Sequence, residues 1–325
     1  MNRGTPPSLQ QQGSLYLVGS GVSHALAPAI HNTVIRQIGA NWTFSNLDVK
    51  SKEEALSYIR KDDFIGCVPT MPLKIQLLDV VEEMDEAAKA IGAINNIYKR
   101  DDKLLGANTD WIGILKSLKP HIPEDVDSEG LIVGAGGASR AAVYALAKLG
   151  LKTIYIINRD VKEVNDLKRD IEKGFKLASI IIPKLIHLET EEQAQQNFNV
   201  NAKERKAVLI GVSCVPDLEP SSESEKQASA VLKITLSQNN GILLEMAYKP
   251  RVTRTFALAE KHNWKVVEGI NVIAEQVQAV WQLFAGVNLS ETQIKAAQNE
   301  LWRQASTRDE LNCNGIPKSA AVHTK

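Results

Sequence analysis

Two kinds of apolar run alternate along the first part of this chain. Leu15–Gly19, Trp42–Asn46 and Phe64–Val68 are short, nearly continuous and strand-sized, whereas Ala27–Ile38 and Glu53–Arg60 space their apolar residues three and four apart, as one helix face does. The pattern is βαβαβ and predicts a first α/β domain. A second alternation places strands near Leu131, Thr153, Ile180, Val208 and Leu243, separated by helical patterns. Beyond Gly269 the chain reads as helix again, over Val272–Phe284 and Glu291–Arg303, and these helices are expected to return to the first domain. The expected domains are therefore 14–109, 110–269 and a helical segment 270–304. The polar leader 1–13 and the aperiodic tail 305–325 are expected to be disordered. Lys203–Arg205 and Asp217–Lys226, charged or rich in Pro and Ser, read as loops.

The second domain opens on Leu131–Arg140, LIVGAGGASR. An apolar strand enters Gly134, Gly136 and Gly137, and an alanine-rich helix over Ala138–Leu149 leaves them. That layout wraps backbone N–H groups around a dinucleotide pyrophosphate, so the domain is expected to be of the Rossmann type. Ser139 stands at the third glycine of the usual pattern and is small enough for close helix approach. The next strand ends in Asn158, Arg159 and Asp160, where the adenosine ribose is read. A guanidinium suits a 2′-phosphate and a carboxylate suits a free 2′-hydroxyl, so the expected cofactor is NADP or NAD, with the choice open.

Composition narrows the class. At 325 residues the chain exceeds one comfortable core, because single cores stop growing at about 250 to 300 residues. Its 38 basic and 38 acidic residues give no electrostatic argument for nucleic acid or an anionic membrane. No apolar run approaches the ~18 residues a membrane helix needs, and MNRGTPPSLQQQG lacks a secretory apolar core. Cys67, Cys214 and Cys313 are too scattered for a disulfide framework or zinc cluster, and no metal is expected. The expectation is a reduced, cytoplasmic protein, monomer or homodimer, whose partner is a small-molecule substrate. Cys67 and Cys214 read as small core residues, His24 and His31 as structural, and EEMDEAAKA as a solvated helix face.

The first domain holds the candidate chemistry. IGCVPTMPLK sets two prolines at the carboxyl end of a strand, which stiffens the loop and fixes where the helix of Lys74 begins. Ala93–Asn96 (AINN) and Gly106–Gly113 (GANTDWIG) put amides and Asp110 in tight turns. A lysine beside a carboxylate, facing a nicotinamide, forms a proton-transfer pair in which the amine exchanges the proton and the carboxylate orients it.

These stretches, with HALAPAIHN, VPTMPLK, GANTD, GAGGASR, NRD and EGINVIAEQ in that order, resemble the shikimate and quinate dehydrogenase family, from Leu15 to about Arg303. SCVPDLEP and LLEMAYKP point to its fungal-type quinate dehydrogenase branch. The resemblance implies two α/β domains with final helices returning to the first. It also implies reversible hydride transfer between a nicotinamide and a ring hydroxyl of a cyclic acid, as in the shikimate pathway of aromatic amino acid biosynthesis and in quinate metabolism. It implies Lys74 as catalytic lysine and Asp110 as its partner. Thr70, Asn95, Gln276 and Tyr248 become substrate-binding, and Gly134, Gly136, Gly137, Ala138, Ser139, Asn158, Arg159 and Asp160 cofactor-binding.

One stretch departs. Where the family has His-Ser-x-Ser-Pro or a hydroxyl variant, this chain has His24-Ala25-Leu26-Ala27-Pro28, and Val68 replaces a usual asparagine. The two lost hydroxyls hold the substrate carboxylate in the family. A hydrogen bond to a charged group is worth about 1.5 to 3 kcal/mol, so losing two weakens a carboxylate ligand by about two to four orders of magnitude unless other groups replace them. Two alternatives stand beside the shikimate- or quinate-like substrate: the same chemistry on a less anionic alcohol, or a non-catalytic metabolite sensor on the same fold.

Overall fold

The computed structural model describes residues 4–124, 126–198 and 207–309. Lys203–Arg205 and the tail from residue 310 lie outside the described residues. In chain order the elements are β1 (Gly13–Gly19), α1 (Ala27–Ile38), β2 (Trp42–Asp48), α2 (Lys52–Ile59), β3 (Phe64–Pro69), α3 (Leu73–Gln76), β4 (Glu83–Met84), α4 (Glu86–Ile91), β5 (Asn96–Arg100), β6 (Lys103–Ala107) and α5 (Asp110–Leu118). There follow β7 (Ser128–Val133), α6 (Gly137–Lys148), β8 (Thr153–Ile157), α7 (Val161–Leu177), β9 (Lys184–His187), α8 (Glu191–Phe198), β10 (Val208–Ser213), α9 (Glu223–Ser237), β11 (Gly241–Glu245), α10 (Arg254–Lys261) and β12 (Lys265–Glu268). The chain ends its described part in α11 (Ile270–Glu275), α12 (Val277–Ala285) and α13 (Glu291–Asp309). The fold is α/β, as its alternating runs predict.

Contacts divide the chain into two compact units. The first comprises the described residues up to Glu83, Asn95–Gly106 and those from Gln276 onward; the second comprises Met84–Ile94 and Ala107–Glu275.

In the first unit the strand order is β2-β1-β3-β5-β6-β4, with β1 parallel to β2 and β3, and β5 antiparallel to β3. Helix α1 carries Pro28 in its first turn, where a missing N–H costs nothing, and stops at Gly39 with φ 65°. Its buried side, Ala29, Ile30, Val34 and Ile35, includes His31, whose ring stacks on Phe44 at 4.3 Å. Burial pushes the His31 pKa down to about 3, which keeps the ring neutral. The leader is tied down from residue 4: Asn41 N–H donates to the Leu9 carbonyl at 2.7 Å and Thr5 N–H to Asp101 at 3.2 Å.

Both final helices sit in this unit. α13 packs on α1 and α12 on β5. Arg100, at the end of β5 and 7 % exposed, donates to the last carbonyls of α12, those of Gln282, Leu283 and Phe284. A cation on the negative end of a helix satisfies carbonyls that have no intrahelical partner.

The second unit is a three-layer sandwich. Its sheet is parallel throughout, in the order β12-β11-β10-β7-β8-β9. One face, with Ile132, Ile156, Val212 and Leu244, packs on α4 to α7; the other, with Leu131, Ile157, Leu209 and Leu243, packs on α8, α9 and α10. Burial on both faces explains strands that read as continuous apolar runs rather than alternation.

Three expectations shift locally. The strand expected near Ile180 begins only at Lys184: Ser179 has φ 54°, Pro183 has no N–H to donate, and Ile181 is 85 % exposed. The helix expected over Val272–Phe284 is two helices that meet at Gln276. The acidic run Glu82–Ala90 divides into β4 and α4, because Asp85 caps α4 by accepting from Ala88 N–H at 2.6 Å.

Replacing Arg100 by Met retains the apolar stem but removes its donors from the Leu283 and Phe284 carbonyls and leaves Gln282 O with only the Gly286 N–H. Urea unfolding is expected to show a loss of about 1 to 3 kcal/mol, and Arg100→Lys is expected to recover part of it.

Candidate active site

In the second unit β7 delivers the chain to Gly134, φ 106°, a backbone that only glycine adopts at little cost. A Cβ there would stand 3.0 Å from Val215 Cγ1 and 3.1 Å from Ser139 Oγ. Gly136 precedes α6 without any side-chain cap, and a Cβ on it would meet nothing within 4 Å. The start of this twelve-residue helix has no side-chain cap, and beside it Ser139 Oγ is buried without a protein partner. β7 pairs with β8 on one side and β10 on the other, so this turn lies where strand order reverses in the sheet. Open parallel sheets bind ligands at that crevice, and the residues present fit a diphosphate. Gly137, Ala138 and Ser139 form the first turn of α6.

At the end of β8, Asn158, Arg159 and Asp160 enter α7. Asp160 accepts at Oδ1 from Lys162 N–H (2.7 Å) and Glu163 N–H (3.3 Å), so it caps the helix. Asn158 donates to Glu163 Oε2 at 3.0 Å. Arg159, exposed, forms an ion pair with Glu225 at the start of α9.

Tyr248 is half-buried in the loop after β11. Glu245, at the end of that strand and 1 % exposed, holds both ends of the loop: Ala247 N–H donates to Oε1 at 3.1 Å and Thr253 Oγ1 to Oε2 at 3.2 Å. Burial pushes the Glu245 pKa up to about 7, outweighing the pull of those donors. Asp110 opens α5 and is 5 % exposed; its N–H donates to Asn108 Oδ1 (3.1 Å), whose amide donates in turn to the Ala93 carbonyl (2.9 Å).

The first unit holds the other candidates. Thr70 follows β3, its N–H donating to the Val18 carbonyl at 2.8 Å and its carbonyl accepting from Leu73 N–H at 2.7 Å. Ser20 N–H donates to the Met71 carbonyl at 2.9 Å. The ends of β1 and β3 thus fix the loop from which the short helix α3, with half-buried Lys74, emerges. Asn95 and Gln276, 181 residues apart in sequence, meet through Asn95 Nδ2 donating to Gln276 Oε1 at 3.1 Å. The break between α11 and α12 is what presents Gln276 there. Ala25 and Ala27 are 7 % and 6 % exposed, Ser23 is exposed, and Asn46 donates to the Ala25 carbonyl at 3.1 Å.

The structure brings Asn95 and Gln276 together in one unit and the glycine turn, Asp110 and Tyr248 into the other. Sequence reading passed over Glu225 and Glu245. The first carried a signal, the Ser-x-x-Glu spacing of a capping box at Ser222–Glu225, inside a stretch expected to be loop. Glu245, at the end of an apolar run, carried none.

With that geometry in hand, relatives become informative. A family model described as the shikimate dehydrogenase substrate binding domain matches residues 17–97. A pentafunctional AROM polypeptide from Candida tropicalis is 34 % identical over 278 residues, covering 83 % of this chain. The chain spans 17 % of that relative's length. Among solved structures, a shikimate dehydrogenase in complex with NADP+ is 25 % identical with a TM-score of 0.69, covering 92 % of this chain and 99 % of its own. A quinate dehydrogenase from Corynebacterium glutamicum in complex with NAD has a TM-score of 0.68 at 17 % identity, covering 90 % and 100 %, and shares the fold. The fold is thus the two-domain dehydrogenase class, a substrate domain joined to a Rossmann-type one. The match to the substrate-domain model and the likeness to these proteins support the shikimate and quinate dehydrogenase family.

Glu245 yields a pH test. Its folded pKa of about 7 lies above the ordinary 4.5, so between those values the folded protein binds the extra proton and stability falls as pH rises. His31 acts oppositely over pH 3 to 6.5, adding stability as pH rises. The stability difference between wild type and Glu245→Gln isolates the first effect. Urea unfolding is expected to show it declining by up to about 3 kcal/mol from pH 4.5 to 7; a flat difference would rule out a proton on Glu245.

Proposed function

We propose that the chain is an NAD(P)-dependent alcohol dehydrogenase acting on a ring hydroxyl of a shikimate- or quinate-like cyclic acid. The observation that supports it most is the uncapped glycine turn at the reversal point of a parallel sheet, a cradle for a dinucleotide diphosphate. The relatives agree: solved structures of the family are described as complexes with NADP(H) and shikimate or with NAD.

Gly134, Gly136, Gly137, Ala138 and Ser139 would hold the diphosphate, and Asn158, Arg159 and Asp160 the adenosine ribose. The nicotinamide, when bound, supplies the hydride acceptor. Lys74 would take the hydroxyl proton as the carbinol carbon gives up hydride, and in the reverse direction would return that proton to the ketone oxygen. Asp110 is the carboxylate that orients Lys74, a role carried by its motif. Asn95 and Gln276, already hydrogen-bonded to one another, would offer an amide pair to ring hydroxyls, and the resemblance assigns Thr70 and Tyr248 to the substrate as well.

A second reading has its own support. With Ala25 and Ala27 buried as methyl groups, the position that binds a carboxylate in the family lacks its hydroxyls, which favours a less anionic alcohol. A non-catalytic sensor is less well supported, because Lys74 and Asp110 are both retained in their motifs.

Purified protein assayed with quinate, shikimate and uncharged cyclic alcohols, each with NAD+ and NADP+, separates the readings. Turnover is expected with at least one alcohol, and Lys74→Met is expected to lower kcat by about 10²- to 10⁴-fold while dinucleotide binding persists. No turnover with any alcohol, with dinucleotide still bound, would leave the sensor. Ala25→Ser/Ala27→Ser is expected to lower the KM for quinate or shikimate by about tenfold or more if the carboxylate position is otherwise intact.

A further inference from the structure

The turn after β8 and the start of α9 enclose a groove of about 670 Å³, with Arg159, Asp160 and Val161 on one side and Ser221, Ser222 and Glu225 on the other. Glu225 is held firmly. Its Oε2 accepts from Ser221 N–H (2.9 Å), Ser221 Oγ (2.8 Å) and Ser222 N–H (3.0 Å), while its Oε1 accepts from Arg159 Nη1. The Ser222 and Ser221 donors pull its pKa down to about 2, so the carboxylate is ionised throughout the working range. Asp160, on the opposite wall, occupies the first N–H groups of α7 with its own carboxylate. Those are the donors a helix start would otherwise offer a phosphate.

We propose that Glu225, by holding Arg159 in an ion pair, makes this groove select a dinucleotide with a free ribose 2′-hydroxyl over its 2′-phosphorylated form. The inference rests on the dehydrogenase reading above and deepens it. A 2′-phosphate brings a charge of about −1.5 to −2. It meets one guanidinium, whose Nη1 Glu225 already holds, against two carboxylates, and would lie beside the Glu225 charge. A 2′-hydroxyl carries no such charge and donates to a carboxylate. Glu225 is therefore a specificity residue that acts through Arg159, in addition to serving as the N3 member of the capping box that starts α9.

The test is fluorescence titration of the full chain with NADH and with NADPH. The wild type is expected to bind NADH at least about tenfold more tightly. Glu225→Gln keeps an oxygen for the serine donors and remains a capping-box residue, so α9 starts as before; it is expected to shift the NADPH-to-NADH affinity ratio about tenfold or more toward NADPH. Adding Arg159→Leu to that variant is expected to cancel the shift. Because each readout is a ratio within one protein, partial unfolding does not move it. Tighter or equal NADPH binding by the wild type, or a Glu225→Gln change that scales both affinities alike, overturns the inference and leaves the dehydrogenase reading standing. Binding of neither dinucleotide by a cooperatively folded wild type removes both.

Discussion

The parallel pairing of β7 with β10 is the constraint on which the second unit depends. Residues Ser128–Val133 run in register with Val208–Ser213, and the two crossovers leave this pair in opposite directions along the sheet. Helices cover both faces, and the two crossovers part at the turn after β7. Gly134, Gly136 and Ser139 are consequences of that geometry: a reversed backbone, an uncapped helix start and a side chain small enough for α6 to sit close. The groove at Arg159 and Asp160 follows from the same pairing, since β8 lies on the other side of β7 and sets them beside the start of α9.

The first unit works differently. Its loop at Thr70 is tied to the end of β1 by two backbone hydrogen bonds, through Val18 and Ser20, and its amide pair joins Asn95, just before β5, to Gln276, just before the α12 that packs on that strand. Buried His31 is a pack-and-stack residue among Phe44 and Trp281 rather than a titrating one. Thr70, Lys74, Asn95 and Gln276 give this unit hydroxyl, amine and amide groups.

Much of this was legible before any coordinates, for physical reasons. Leu15–Gly19, Phe64–Val68 and the Leu131 run are buried on both sides, so their composition carries the strand signal without help from neighbours. The glycine turn was legible because few other residues adopt its backbone. What escaped depended on tertiary context. SIIIPKLI looked like one strand, yet a helix end at Ala178 and Pro183 leave only its second half able to pair. Val272–Phe284 kept an unbroken helical period across Gln276, which tertiary packing alone interrupts. In Asp217–Lys226 the serines and acids that suggested loop turned out to be a helix start, the same residue types serving both. Asn95 and Gln276 were picked by resemblance, but no local signal joins residues so far apart.

Arg100 has a consequence for biosynthesis. It lies in the first third of the chain, but the carbonyls it binds belong to residues 282–284, and α13 packs on α1 from further on still. The unit containing the amino-terminal strands therefore cannot close until the last helices have left the ribosome, while every residue of the nucleotide-fold unit, ending at Glu275, emerges earlier. A nascent chain interrupted between those points would carry a finished parallel-sheet unit and an amino-terminal unit missing its closing helices, a species for chaperones to shelter.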